Sequence, residues 1–235
     1  MVMELNAKRT KLLACATVIE EMQGLLPPEM NYEVLDFGLH LRPGGLRDTL
    51  QEAIDSACAT GEFDTILLGY GLCSMALVGL KANNCTLVTP RVDDCIAIFL
   101  GSKKAYTEQN KQAPGTYYLT KGWIEVADTP LTDYEKLIPK YGEERASRIM
   151  KTMLKHYTRI VYIDTGHTNK EPYIEYARKT AEKFDLRYEE IPGSNTLIEK
   201  MLFGPWDDEI LVITPGNTVT YLDFKGESPQ TPSQT

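Results

Sequence analysis

No run of apolar residues in this sequence approaches the roughly 20 needed to cross a bilayer. The opening segment MVMELNAKRTKLLACA lacks a charged region followed by a long apolar one, so the expectation is a cytoplasmic protein with no membrane partner. Clustered positive charge is missing as well. A net charge of −8 with scattered Lys and Arg argues against nucleic acid, whose phosphates need grouped cations. Paired Cys-x-x-Cys spacings are absent, which removes the usual structural zinc site. The odd count of five cysteines suits a reducing compartment. There is no G-x-x-x-x-G-K-[ST], no G-x-G-x-x-G after a strand, no H-E-x-x-H and no C-x-x-x-C-x-x-C run. DTGHTN also lacks the D-x-H-x-x-G spacing that ligates a corrinoid cobalt. The expected partners are small molecules or proteins, and the oligomeric state is not legible.

What is present is enough apolar material, 43% of 235 residues, to build a core without disulfide staples. KLLACATVI reads as a first strand running into a helix through EEMQGLL, and NYEVLDFG as a second strand. Leu46, Leu50, Ala53, Ile54 and Ala57 keep helical spacing. FDTILLGYG and CTLVTP are strands apolar enough to be buried on both faces. The segment DDCIAIFLGSKKAYTEQ reads as helix, GTYYLTKGWIEV as an edge strand, and TDYEKLIPKYGEERASRIMKTMLKHY as charged helix. The alternation resumes with TRIVYIDTG, KEPYIEYARKTAEKFD, RYEEIPG, SNTLIEKMLFG and DEILVITPG. This rhythm predicts an α/β protein of two Rossmann-like lobes with mainly parallel sheets and helices on both faces. The first lobe is expected over 1–110, an edge strand and helical connection over 111–157, the second lobe over 158–226, and a disordered Ser/Pro/Gln-rich tail over 227–235.

Ligands bind parallel sheets beyond the carboxyl ends of the strands, and this sorts the cysteines. Cys15 ends the first strand, Cys73 follows the third and Cys95 the fourth, so all three fall on the active edge. Cys85 precedes its strand and Cys58 lies within an amphipathic helix; both read as small buried hydrophobes. With a 2-1-3-4 strand order the three thiols converge within about 10 Å, two strand spacings. Each stands at the start of an expected helix: CATVIEEM, CSMALVGL and, behind Asp93 and Asp94 as an N-cap, CIAIFLGS. Free amides and the positive dipole end there favour thiolate, the metal-binding form. Gly69 and Gly71 are expected to let backbone pass close to a bound cofactor. Three thiolates leave one position open, as in a [4Fe-4S] cluster with one exposed iron or a zinc with one exchangeable site.

Other candidates lie near the same edge. His40 follows the second strand with Arg42 beside it, and it is either a ligand, a general acid or substrate contact, or a plain loop histidine. Tyr70 can offer a hydroxyl. Arg91 precedes two carboxylates; an ion pair with Asp93 or Asp94 is the ordinary outcome, and binding of a carboxylate or phosphate the functional one. His167 faces the first site only if the two lobes enclose a cleft, while His156 reads as solvated. Trp123 and Trp206 read as core or interface residues.

LLACATVIEEM, LHLRPGGL, LLGYGLCSMALVGLKA, LVTPRVDDCIAIFLGS, YYLTKGWIE, YIDTGH and FGPWDDEILVITPG together resemble, in order and over nearly the whole chain, the family known as domain of unknown function 1638. Cys15, Cys73, Cys95 and His40 fall on motif positions of that family, which often carries His where this chain has Asp93. The resemblance implies a setting in strict anaerobes and methanogens beside corrinoid-dependent methyltransferases. The expectation is therefore an iron-sulfur enzyme of anaerobic methyl-group metabolism, with Cys15, Cys73 and Cys95 holding a [4Fe-4S] cluster and His40, Arg91, Tyr70 and His167 orienting a small substrate. A three-cysteine zinc protein activating a thiol for methyl transfer is the alternative, and a carrier or accessory protein of a corrinoid methyltransferase system is a third reading.

Overall fold

The computed structural model describes residues 5–41 and 43–226, with the side chains of His40, Leu41 and Pro43 outside that description. The strands are β1 (Thr10–Cys15), β2 (Asn31–Leu35), β3 (Thr65–Gly69), β4 (Thr86–Pro90), β5 (Thr116–Leu119), β6 (Arg159–Asp164), β7 (Arg187–Pro192) and β8 (Ile210–Ile213). The helices through the first half are α1 (Ala16–Met22), α2 (Pro43–Ala59), α3 (Cys95–Phe99), α4 (Lys103–Gln112) and α5 (Lys121–Val126). They continue with α6 (Pro130–Tyr141), α7 (Glu143–Met153), α8 (Glu171–Lys183), α9 (Thr196–Phe203) and α10 (Tyr221–Lys225).

Two sheets result. The first has the order β2-β1-β3-β4-β8 and the second β5-β6-β7. All pairings are parallel except that of β8 with β4, which is antiparallel. This is a Rossmann-like α/β arrangement. β3 is buried at every residue, whereas β2, at the edge, exposes most of its length, which follows from the apolar run in one and the polar alternation in the other. On α2, Leu46, Leu50, Ile54 and Ala57 are buried as their spacing requires.

The second sheet is sandwiched. Val161 and Ile163 of β6 pack into the same core as the first sheet. Ile160 and Tyr162, pointing the other way, meet Ala177 and Ala181 of α8. Period-two alternation thus joins the two halves into a common core. Trp123 borders both clusters, stacking edge-on to Phe37 at 5.1 Å, and Trp206 donates its indole N–H to the Met201 carbonyl at 3.1 Å.

Several expectations are corrected. DEILVITPG does not continue the second sheet: β8 returns to pair with β4, burying the edge that β4 would otherwise present. The strand expected through KGWIEV stops at Leu119, because the Thr120 hydroxyl accepts from the Trp123 N–H and starts α5. Gly101 (φ 79°) splits the helix after Cys95, and Gly142 (φ 75°) splits the one before β6. Cys58 and Cys85 are not separate thiols but disulfide-bonded, with Cα atoms 5.8 Å apart. The tail expected to be disordered, 227–235, lies outside the described residues.

Candidate functional site

The connection leaving β1 runs outward to β2 and the one leaving β3 runs the other way to β4, so the two part above the β1/β3 boundary. That parting is the topological switch point, where open α/β sheets hold ligands. Cys15 ends β1 on one side of it, and Cys73 follows β3 on the other. Cys95 begins α3, just beyond β4. All three are free and buried, at 1%, 8% and 8% exposure.

Their backbone settings differ. Cys15 is the N-cap residue of α1, with extended φ and ψ, and its Sγ lies 3.3 Å from the Thr17 hydroxyl. Asp94 caps α3, accepting from the Ile96 N–H at 2.8 Å, as its place ahead of Cys95 led one to expect. Cys73 stands at no helix start. Cys73, Ser74 and Met75 have φ of 45°, 54° and 73°, three consecutive left-handed residues without a glycine among them. Each costs about 1–2 kcal/mol relative to right-handed backbone, so the turn persists only because its surroundings hold it. They do so directly: the Leu72 N–H donates to the Val92 carbonyl at 2.8 Å and the Cys73 N–H to the Asp93 carbonyl at 3.1 Å.

The two glycines explain how the turns meet. A Cβ on Gly71 would stand 2.7 Å from the Asp94 backbone, and one on Gly69 would stand 2.5 Å from the Ala14 Cβ. Their missing side chains therefore let protein close on protein. The role found for them is packing of the cysteine-bearing segments.

Burial overturns the expectation of ready thiolates. It pushes the Cys15 thiol up, the Cys73 thiol up to about 12 and the Cys95 thiol well above its ordinary range, with the neighbouring thiols adding to the shift for Cys73 and Cys95. Desolvation outweighs the helix-end donors. Without a cation the three are neutral thiols. Burial also raises the Tyr70 phenol, and Cys15, Cys73 and Cys95 each raise it further.

The other candidates are placed as follows. The His40 side chain and Arg42 lie outside the described residues. Arg91 makes no pair with Asp93 or Asp94: Asp93 faces Lys103 at 3.4 Å and Lys225 at 3.9 Å, and Asp94 is spent on its cap. His167 does reach the first half, but its partner is Glu21 of α1, Nε2 to Oε2 at 2.7 Å. The same buried carboxylate accepts from the Gly122 N–H at 2.7 Å and from the Thr165 hydroxyl. Burial alone would raise the pKa of Glu21; His167, Thr165, Gly122 and Thr120 outweigh it and hold the carboxyl below its ordinary value. Glu21 was not foreseen, since EEM on a short helix reads as a solvated face. The exposed His156 is as expected.

Among the described residues, no three or more His, Cys, Asp or Glu side chains form a group that could hold a metal ion as they stand. A single zinc with Zn–S bonds of about 2.3 Å would need the sulfurs within roughly 4 Å of one another. A cluster takes one thiolate on each of three irons, so its donors stand farther apart. The donor set, three buried free thiols beyond the carboxyl ends of neighbouring strands, fits an iron-sulfur cluster or a zinc in its chemistry.

Fold and site together define a Rossmann-like α/β protein with three free buried cysteines at one sheet edge. Residues 34–202, more than two thirds of the chain, match the model of the family described as "Protein of unknown function (DUF1638)", and the chain belongs to that family. Cys73 and Cys95 lie within the matched stretch and Cys15 ahead of it. No curated protein and no solved structure matches the chain. No helix among the described residues is long and apolar enough to cross a membrane.

Proposed function

We propose that this protein is a cytoplasmic iron-sulfur enzyme of anaerobic one-carbon metabolism, in which Cys15, Cys73 and Cys95 hold a [4Fe-4S] cluster and a small substrate binds at its open side. The observation that carries the reading is that the three free buried thiols all follow the carboxyl ends of neighbouring strands, one of them on a strained left-handed turn. Strain of this kind is retained where function needs the geometry. The metabolic setting, beside corrinoid-dependent methyltransferases, rests on the family resemblance.

When bound, such a cluster supplies an iron that accepts a substrate oxygen or sulfur as ligand. The chain's own groups do the rest. Tyr70, its phenol kept protonated by burial and by the three sulfurs, offers a hydrogen-bond donor to whatever lies between them. Arg91, with no ion pair among the described residues, is available to hold a negative group of the substrate. His167 is held at the junction of the two sheets, its ring fixed by Glu21.

Purification without oxygen tests this. The expected product is brown, with broad visible absorption and about four irons per chain, and Cys15→Ala, Cys73→Ala and Cys95→Ala each lose most of the iron. A colourless protein with one zinc would favour the thiol-activating alternative. Unchanged metal content in all three variants would remove the site.

A further inference from the structure

Beyond the carboxyl end of β4 lies a cleft of about 780 Å³ lined by Arg91, Lys103, Lys104, Lys111 and Lys225 against three carboxylates. We propose that this cleft binds an oxyanion group of phosphate class on a small-molecule ligand. As a statement about the enzyme's substrate this deepens the preceding proposal and rests on it; as a statement about binding it does not.

The charge contrast is the first argument. The chain as a whole carries −8, yet the lining has five cations to three anions. Glu209 is turned to Lys200 at 2.5 Å, Glu108 lies 4.0 Å from Lys104, and Lys103 and Lys225 share Asp93, which leaves Arg91 and Lys111 as lining cations with no ion pair among the described residues. The second is Arg91 itself. Its backbone N–H is tied to the Glu209 carbonyl at 2.8 Å, which fixes the residue where β4 meets β8. Its Nε is buried with no hydrogen-bond partner among the described residues. A buried donor left unpaired costs about 1–3 kcal/mol, and an oxyanion accepting from it removes that cost. Gly226 leaves the fork space, since a Cβ there would stand 3.4 Å from Nη1.

Carboxylate and phosphate both suit a guanidinium fork. The additional lysines favour the group with more charge, because Lys acts as a movable point charge that a second negative charge can engage. Lys104 and Lys111 are exposed on α4; Lys104 stands 4.0 Å from Glu108, a surface pair weak enough for either lysine to turn inward. Arg91 is four residues ahead of Cys95, a stretch of chain spanning at most about 14 Å. A metabolite anchored by its phosphate at Arg91 can therefore extend its other end toward the three sulfurs.

The test is a calorimetric titration of anaerobically purified full-length protein with inorganic phosphate at constant ionic strength, with succinate as the carboxylate arm. Phosphate is expected to bind more tightly than succinate. Arg91→Gln should weaken it at least about tenfold, and Lys104→Ala and Lys111→Ala, at exposed positions that leave the fold intact, about two- to fivefold each. Absent phosphate binding, tighter binding of succinate, or unchanged affinity in Arg91→Gln and Lys111→Ala would overturn the proposal. Iron is assayed on the same samples. Iron-free protein that binds phosphate upholds the cleft while sinking the cluster reading, and iron-loaded protein that ignores phosphate does the reverse.

Discussion

Glu21 is a carboxylate in the interior whose hydrogen bonds come from α5, from the loop after β6 and from His167. Because its folded pKa lies below the unfolded value near 4.3, its contribution to stability is complete above about pH 4.3 and is lost as pH falls through the folded pKa. Urea melts between pH 7 and pH 3 should therefore show an acid loss of stability that Glu21→Gln flattens. At pH 7 the same variant should be less stable by about 2 kcal/mol, the scale of a hydrogen bond to a charged group. Gly71→Ala is a second sharp case. Its Cβ would press on the Asp94 backbone, and overpacking of this kind costs about 1–3 kcal/mol; the melting temperature should fall, and under the proposed cluster reading the iron content with it. The three cysteines could be sorted from the sequence because strand ends are local signals. Glu21 could not, because its histidine partner is 146 residues away.

At the scale of elements, the left-handed turn after β3 stands out. Apolar residues in CSMALVGL have helical spacing, yet the chain forms no helix there, because Cys73, Ser74 and Met75 take left-handed φ, which a right-handed helix cannot contain. Nothing in the residues Cys73, Ser74 and Met75 announces positive φ; the opposing turn imposes it. Met75 is 46% exposed with φ 73°, so Met75→Gly removes strain while giving up little packing. Chemical denaturation should show a gain of about 1 kcal/mol; a loss of stability would mean that the turn is not strained. By contrast the cap of α3 was legible, since an aspartate directly before a helical apolar run has one obvious use. The strand order β2-β1-β3-β4 was legible for a similar reason, being a common solution for repeated right-handed crossovers. The antiparallel pairing of β8 was not, for an apolar strand of four residues carries no mark of its direction.

For the whole molecule, the shared core of the two sheets predicts one cooperative unfolding transition, with calorimetric and van't Hoff enthalpies equal. Two transitions would show the halves to be independent. Gly122→Ala probes the seam, where a Cβ would lie 2.6 Å from the Thr17 carbonyl and so drive α5 from α1; a loss of about 1–3 kcal/mol is expected in the same calorimeter. The return of β8 also has a consequence in time. On the ribosome, β4 is complete at Pro90, but the strand that covers its edge begins only at Ile210, and synthesis at 5–20 residues per second separates them by roughly 6–24 s. During that interval the nascent first sheet has an open edge and Arg91 has no Glu209 carbonyl to anchor it. The cleft beside Arg91, whose lining includes Asp208, Glu209 and Phe224, is thus complete only in the finished chain.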